Sequence, residues 1–141
     1  VHNMAKILGV EIDLHTPNKN LFSDSAKSLA ETFDETGATV DKRGGSRKDK
    51  NTRTQLRGFY DEIVTWNDKI GVNEEKYKLN EPVIRMFLAK VAYSLGRGHI
   101  SNEVNEFMND CFRQIDSAAS LNNFRLLFEA IMGYYVTYRS K

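Results

Sequence analysis

The stretch Thr52-Arg53-Thr54-Gln55-Leu56-Arg57-Gly58-Phe59-Tyr60-Asp61-Glu62-Ile63 decides the fold class. Leu56, Phe59, Tyr60, Ile63 and, further on, Ile70 recur at spacings of three, four and seven, which places them on one side of an α-helix. Thr52 is a good N-cap, and Gln55 three residues later completes a capping-box pattern. Gly71 marks the end, so the pattern predicts a helix over 53–70. Outward from it the same period continues. Val83, Ile84, Phe87, Leu88, Val91, Ala92 and Leu95 form a second stripe, announced by Asn80 and Pro82 and stopped by Gly96-Arg97-Gly98. Ser101 caps a third, carrying Val104, Phe107, Met108, Cys111, Phe112, Ile115 and Ala118. After a break near Ser120 a fourth presents Leu121, Phe124, Leu127, Phe128, Ile131, Tyr135 and Tyr138. The expected helices are 53–70, 81–96, 102–118 and 121–139, with no sheet of consequence. Short links between them favour antiparallel neighbours in a bundle.

The first fifty residues carry weaker patterns. Asp24 to Glu35 suits a short helix around Ala26, Leu29, Ala30 and Phe33, stopped by Gly37. Val10 to Leu14 alternates apolar and acidic residues, as a strand would. Met4, Ile7 and Leu8 suit a helix, which is the reading taken here. Residues 41–51 (DKRGGSRKDKN) hold two glycines, many charges and no apolar side chain, and read as a mobile basic loop. The expectation is all-α: one helical domain over 1–141, a small bundle of about five helices. Within it, 1–40 is an N-terminal helical segment, 41–51 the basic loop and 52–139 the bundle core.

Charge is uneven along the 141 residues. The net charge is only +1, but residues 42–57 hold seven Lys/Arg against one Asp, whereas residues 1–41 hold three against seven Asp/Glu. A concentrated run of cations favours phosphate, because each one placed on a phosphate releases condensed counterions. Lys42, Arg43, Arg47, Lys48 and Lys50 belong to the loop. Arg53 and Arg57, four apart, share a helix face. They sit in the first turns, where the helix dipole is already positive and a cation costs roughly 0.3–1 kcal/mol. An anion bound at the helix start would offset that cost; the bland alternative is a solvated loop. Lys90 and Arg97 lie two turns apart on one face, although a cation at a helix end also complements the dipole without any ligand. Most aromatics fall on the apolar stripes and read as core; Tyr60, Tyr93 and Tyr134 are the ones placed to show an edge.

Signals for catalysis are weak. There is no CxxC, HExxH, Gly-rich phosphate loop or nucleophile elbow. His99 and Glu103 straddle a helix boundary, His2 and His15 lie in the least patterned region, and the adjacent Asp61 and Glu62 diverge on a helix. No catalytic residue, metal site or cofactor is expected. The lone Cys111 falls on an apolar stripe and reads as a buried, inert thiol. No apolar run is long enough to cross a bilayer, and no signal-peptide layout is visible, so a cytoplasmic address is expected.

Three segments together resemble the small-subunit family of type III-A CRISPR effector (Csm) complexes: Thr52–Tyr60; Lys90-Val91-Ala92-Tyr93-Ser94-Leu95-Gly96-Arg97; and Phe128-Glu129-Ala130-Ile131-Met132-Gly133-Tyr134-Tyr135. The resemblance spans roughly Lys48 to Tyr138. Gly58 stands where that family more often has a polar helix former. The resemblance implies a non-catalytic helical subunit in antiviral defence, several copies of which stack along a guide RNA–target RNA duplex beside the other subunits and hold backbone phosphate. Carried over by position, Arg57 and Arg97 are the leading candidates for RNA contact, then Lys90 and Arg53, then Lys48 and Lys50. Recognition would be indifferent to base identity, because guide pairing supplies the sequence. Two rivals are a helical protein–protein adaptor, marked by a large exposed apolar patch, and a small phosphate-chemistry enzyme built on His99.

Overall fold

The computed structural model describes residues 5–139. It is mainly helical, with helices α1 (Ala26–Thr36), α2 (Arg53–Ile70), α3 (Glu74–Arg85), α4 (Phe87–Gly96), α5 (Asn102–Phe112) and α6 (Ala118–Tyr135). Two short antiparallel hairpins accompany them, β1 (Ala5–Ile7) with β2 (Val10–Ile12) and β3 (Thr39–Val40) with β4 (Ser46–Arg47). The helical-bundle expectation holds, and no strand lies among described residues 52–139.

Helix α2 has the expected limits. The Thr52 side chain accepts from the Gln55 N–H, and Gly71 ends the helix at φ 58°. Ser101 likewise caps α5 through the Val104 N–H. Apolar faces from all six helices meet in one core. Its centre is a chain of ring contacts, Phe59–Phe87–Phe112–Phe124–Phe128, that runs from α2 through α4 and α5 to α6. Phe107 of α5 joins Phe33 of α1 to Phe124. Such pairs add roughly 0.5–1.5 kcal/mol each beyond area burial.

Four expectations are corrected. The helix read through Ile7 and Leu8 is a hairpin: Leu8 and Gly9 form the turn at φ 53° and 80°, and Ile7 pairs with Val10. Two successive positive φ values match the right-handed twist of a two-residue hairpin, and Ile7 and Ile12 are thereby fully buried. Met4, read as part of the same helix, lies outside the described residues. Secondly, Pro82 does not start a helix; it sits inside α3, which begins at Glu74 behind the Asn73 cap. Pro82 cannot serve the Lys78 carbonyl, and Lys78 itself is an exposed residue. The chain then continues through Met86 into α4, so the 81–96 pattern is the end of one helix plus the whole of another.

Thirdly, α5 ends at Phe112 instead of 118. Gln114 turns inward there, accepting from the Leu14 N–H at 2.7 Å and donating to the Ile12 carbonyl at 2.8 Å. Buried backbone at the end of β2 would otherwise lack partners. The last helix correspondingly starts earlier, at Ala118, behind a Ser117/Ser120 capping box. Fourthly, the basic loop is not wholly irregular. Its Ser46–Arg47 stretch, β4, pairs with β3 just before the loop, and its end is tied to the core at Asn51, which is fully buried.

Candidate nucleic-acid interface

The N-terminus of helix α2 lies beside the end of α4. The Gln55 side chain donates to Ser94 Oγ at 3.2 Å, and the Asn51 N–H donates to the His99 carbonyl at 2.9 Å. The two helix ends that carry Arg53, Arg57 and Arg97 are therefore neighbours, as antiparallel packing requires. No acidic residue occupies the first turn of α2, so its positive dipole end is not offset locally.

Arg53 and Arg57 line one open groove of about 590 Å³ together with Thr54, Gly58, Asp61, Met132 and Val136. Arg53 donates to the Arg139 carbonyl at 3.3 Å. Arg57 is 69% exposed and bonds Asp61 one turn on, at 3.2 Å. A pair this open is worth little, and a stronger anion displaces it readily. Gly58 lies between this groove and a second one, formed by Asp49, Thr52, Thr54, Gln55 and His99. A Cβ at position 58 would meet nothing, so the glycine leaves the helix surface low without being sterically required.

Arg97 caps the end of α4, on the other side of the α2 start. Its guanidinium lies 5.9 Å from the exposed Tyr93 ring. Lys90 is set apart from these three. It bonds Glu62 of α2 at 2.7 Å, nine residues beyond Arg53, which is about 13 Å along the axis. Lys90 instead lines a separate groove with Trp66, Lys69, Val83 and Met86.

Lys48 and Lys50 lie beside α1 and the C-terminal end of α6. Lys48 bonds Asp34 at 2.6 Å and remains half exposed. Lys50 is held through its backbone: its N–H donates to the Gly37 carbonyl at 3.0 Å and its carbonyl accepts from Arg139 at 3.2 Å. Arg139 is the residue that sequence reading missed. It is 8% exposed and donates to Asp34 Oδ1 at 2.7 Å, to the Asp34 carbonyl and to the Lys48 carbonyl, both at 3.3 Å. Burial opposes ionisation of Asp34, but hydrogen bonds from Lys48 and Arg139 outweigh it and hold the carboxyl below the usual carboxylate range. The only hint in the sequence was a cation just past the last apolar stripe, with nothing to say what it would meet.

Of the tyrosines expected at a surface, Tyr93 is 65% exposed. Tyr60 and Tyr134 are partly covered, and Tyr60 donates to Glu129 at 3.3 Å. His15 pairs with Asp116 at 2.8 Å and so ties the N-terminal region to the α5–α6 link. Among the described residues no group of three or more His, Cys, Asp or Glu is arranged to hold a metal ion. No described helix is long and apolar enough to cross a membrane.

A family model described as Csm2 Type III-A matches residues 16–141, which include every cation placed above. No curated protein and no solved structure matches the chain.

Proposed function

The chain belongs to the Csm2 type III-A family, the small subunits of type III-A CRISPR effector complexes, and from that premise we propose that it holds RNA backbone in such a complex without catalysing a reaction. Its partners in this reading are the guide and target RNA, the other subunits and further copies of itself, in the cytoplasm. The observation that carries it is the start of α2. Arg53 and Arg57 face an open groove at a helix end with no acidic residue in its first turn, and Arg97 stands at the adjoining end of α4. Phosphate is the anion this arrangement suits: it takes charge-assisted hydrogen bonds from guanidinium forks and gains from the dipole. Lys48 and Lys50 extend the positive surface toward α1. Lys90 is a flanking contact, since it lines a separate groove.

The test is RNA binding against salt, by the isolated chain and by the assembled complex. Arg57→Ala and Arg97→Ala should each weaken binding to unrelated RNA sequences about equally. Each should lower the log–log salt slope by about 0.7 for a single strand, with helicity retained. Loss confined to one base sequence would mean base readout instead. One observation favours the adaptor reading: Val72, Leu79, Val83 and Met86 are exposed along the α2–α3 turn, α3 and the start of α4. If neither arginine variant changed RNA binding while Leu79→Asp prevented assembly, that reading would replace this one.

A further inference from the structure

We propose that Arg139 is a positioning residue, clipped to Asp34 and to the carbonyls of Lys48 and Lys50 so that the end of the basic loop, with Lys48 and Lys50, stands fixed beside the start of α2. The inference rests on the RNA-backbone reading and adds to it how the loop's charges are presented.

Residues 48–51 are anchored from several elements at once. The Arg139 guanidinium bridges Asp34 of α1 to the carbonyls of Lys48 and Lys50. Its ring-facing side lies 5.4 Å from Tyr135. The Tyr135 hydroxyl donates to the Asn51 carbonyl at 2.6 Å, and the Lys50 N–H donates to Gly37. The other carboxylate oxygen of Asp34 takes Lys48. Arg53, in turn, donates to the carbonyl of Arg139 itself, so the clip reaches the first groove cation. Space at this point is fully used. A Cβ on Gly37 would lie 2.6 Å from the Lys50 carbonyl oxygen and against the Arg139 guanidinium.

Arg139 is buried and bonded on all sides by protein, so it is not itself the phosphate contact. Its effect is on its neighbours. A loop of this composition, left alone, would have to be ordered when RNA binds, and that ordering weakens binding. With the clip in place the backbone of 48–51 is already fixed before RNA arrives.

The experiment compares wild type, Arg139→Gln, Arg139→Lys and Gly37→Ala by limited trypsin cleavage after Lys48 and Lys50, and by binding to a labelled single-stranded RNA over a salt series. Gly37→Ala disturbs the clip with no change of charge. Arg139→Lys keeps the charge but not the fork that reaches several acceptors. All three variants should be cut faster at Lys48 and Lys50. Each should bind RNA roughly tenfold more weakly, the scale of newly fixing about one backbone residue. The salt slope should stay at the wild-type value, because the number of phosphates met is unchanged. A lowered slope would make Arg139 a direct contact and overturn the proposal. So would faster cleavage with wild-type RNA affinity, or no change in cleavage. If one variant fails to fold, as judged by helicity, the other two decide. Wild-type protein that does not bind RNA in the chain or the complex would defeat the RNA reading itself.

Discussion

Replacing Asn51 by Ala should be among the most costly single changes in the chain. Asn51 is fully buried at the junction of the basic segment and α2. Its side-chain NH2 donates to the Phe33 carbonyl at 2.9 Å and to Ser101 Oγ at 3.0 Å, and its Oδ1 accepts from the Ser101 N–H at 2.9 Å. Alanine leaves the Phe33 carbonyl and the Ser101 N–H without those partners in the interior, and each orphan costs about 1–3 kcal/mol. The backbone adds a second term. Asn51 has φ 55°, a left-handed conformation that Asn tolerates better than Ala, by roughly 1 kcal/mol. The total is about 3–7 kcal/mol, a large part of the roughly 5–15 kcal/mol that holds a domain of this kind together. For a chain of this length it corresponds to a fall in Tm of about 10–24 °C. Urea unfolding followed by helicity would measure it directly. Asn51→Gly should be milder by about 1 kcal/mol, since glycine keeps the left-handed backbone while losing the same bonds. An Asn51→Ala variant within 1 kcal/mol of wild type would refute the hydrogen-bond argument. Equal losses for Ala and Gly would refute the backbone term.

Two further outcomes follow from ionisation. The Asp34 carboxyl is held below its ordinary value of 3.8, so its ionised form stabilises the fold above that pH, and the contribution is lost as pH falls through the lower folded value. The Tm gap between wild type and Asp34→Asn should therefore be full at neutral pH and shrink only in the acid range below about 4; a gap that closed near pH 6 would contradict this. Cys111 is fully buried, and burial pushes its thiol well above the ordinary cysteine value. It should resist a thiol-reactive dye in the native protein and react at once in denaturant; rapid native labelling would show that α5 opens.

The sequence by itself determined the helical class, the limits of α2 and the caps at Thr52 and Ser101, because those signals are local. Apolar period, a cap three residues from the N–H it accepts from and a terminal glycine all lie within one or two helical turns. The cations were legible for the same reason, as a composition bias in sixteen residues and as helical spacing at Arg53–Arg57 and Lys90–Arg97. Antiparallel packing then puts Arg97 beside the α2 start, while Lys90 goes to Glu62. Only the tertiary structure decided the rest, and the reason is sequence distance. Gln114 ends α5 early for the sake of backbone about a hundred residues earlier. Asp34 and Arg139, 105 positions apart, form a buried ion pair that no period or motif announces. Leu8-Gly9 lacks the usual turn residues at its first position, so the hairpin was masked by apolar spacing that serves a helix equally well. The basic loop looked unstructured because its own side chains are polar; what holds it are backbone carbonyls, which every residue has, met by donors from elsewhere in the fold.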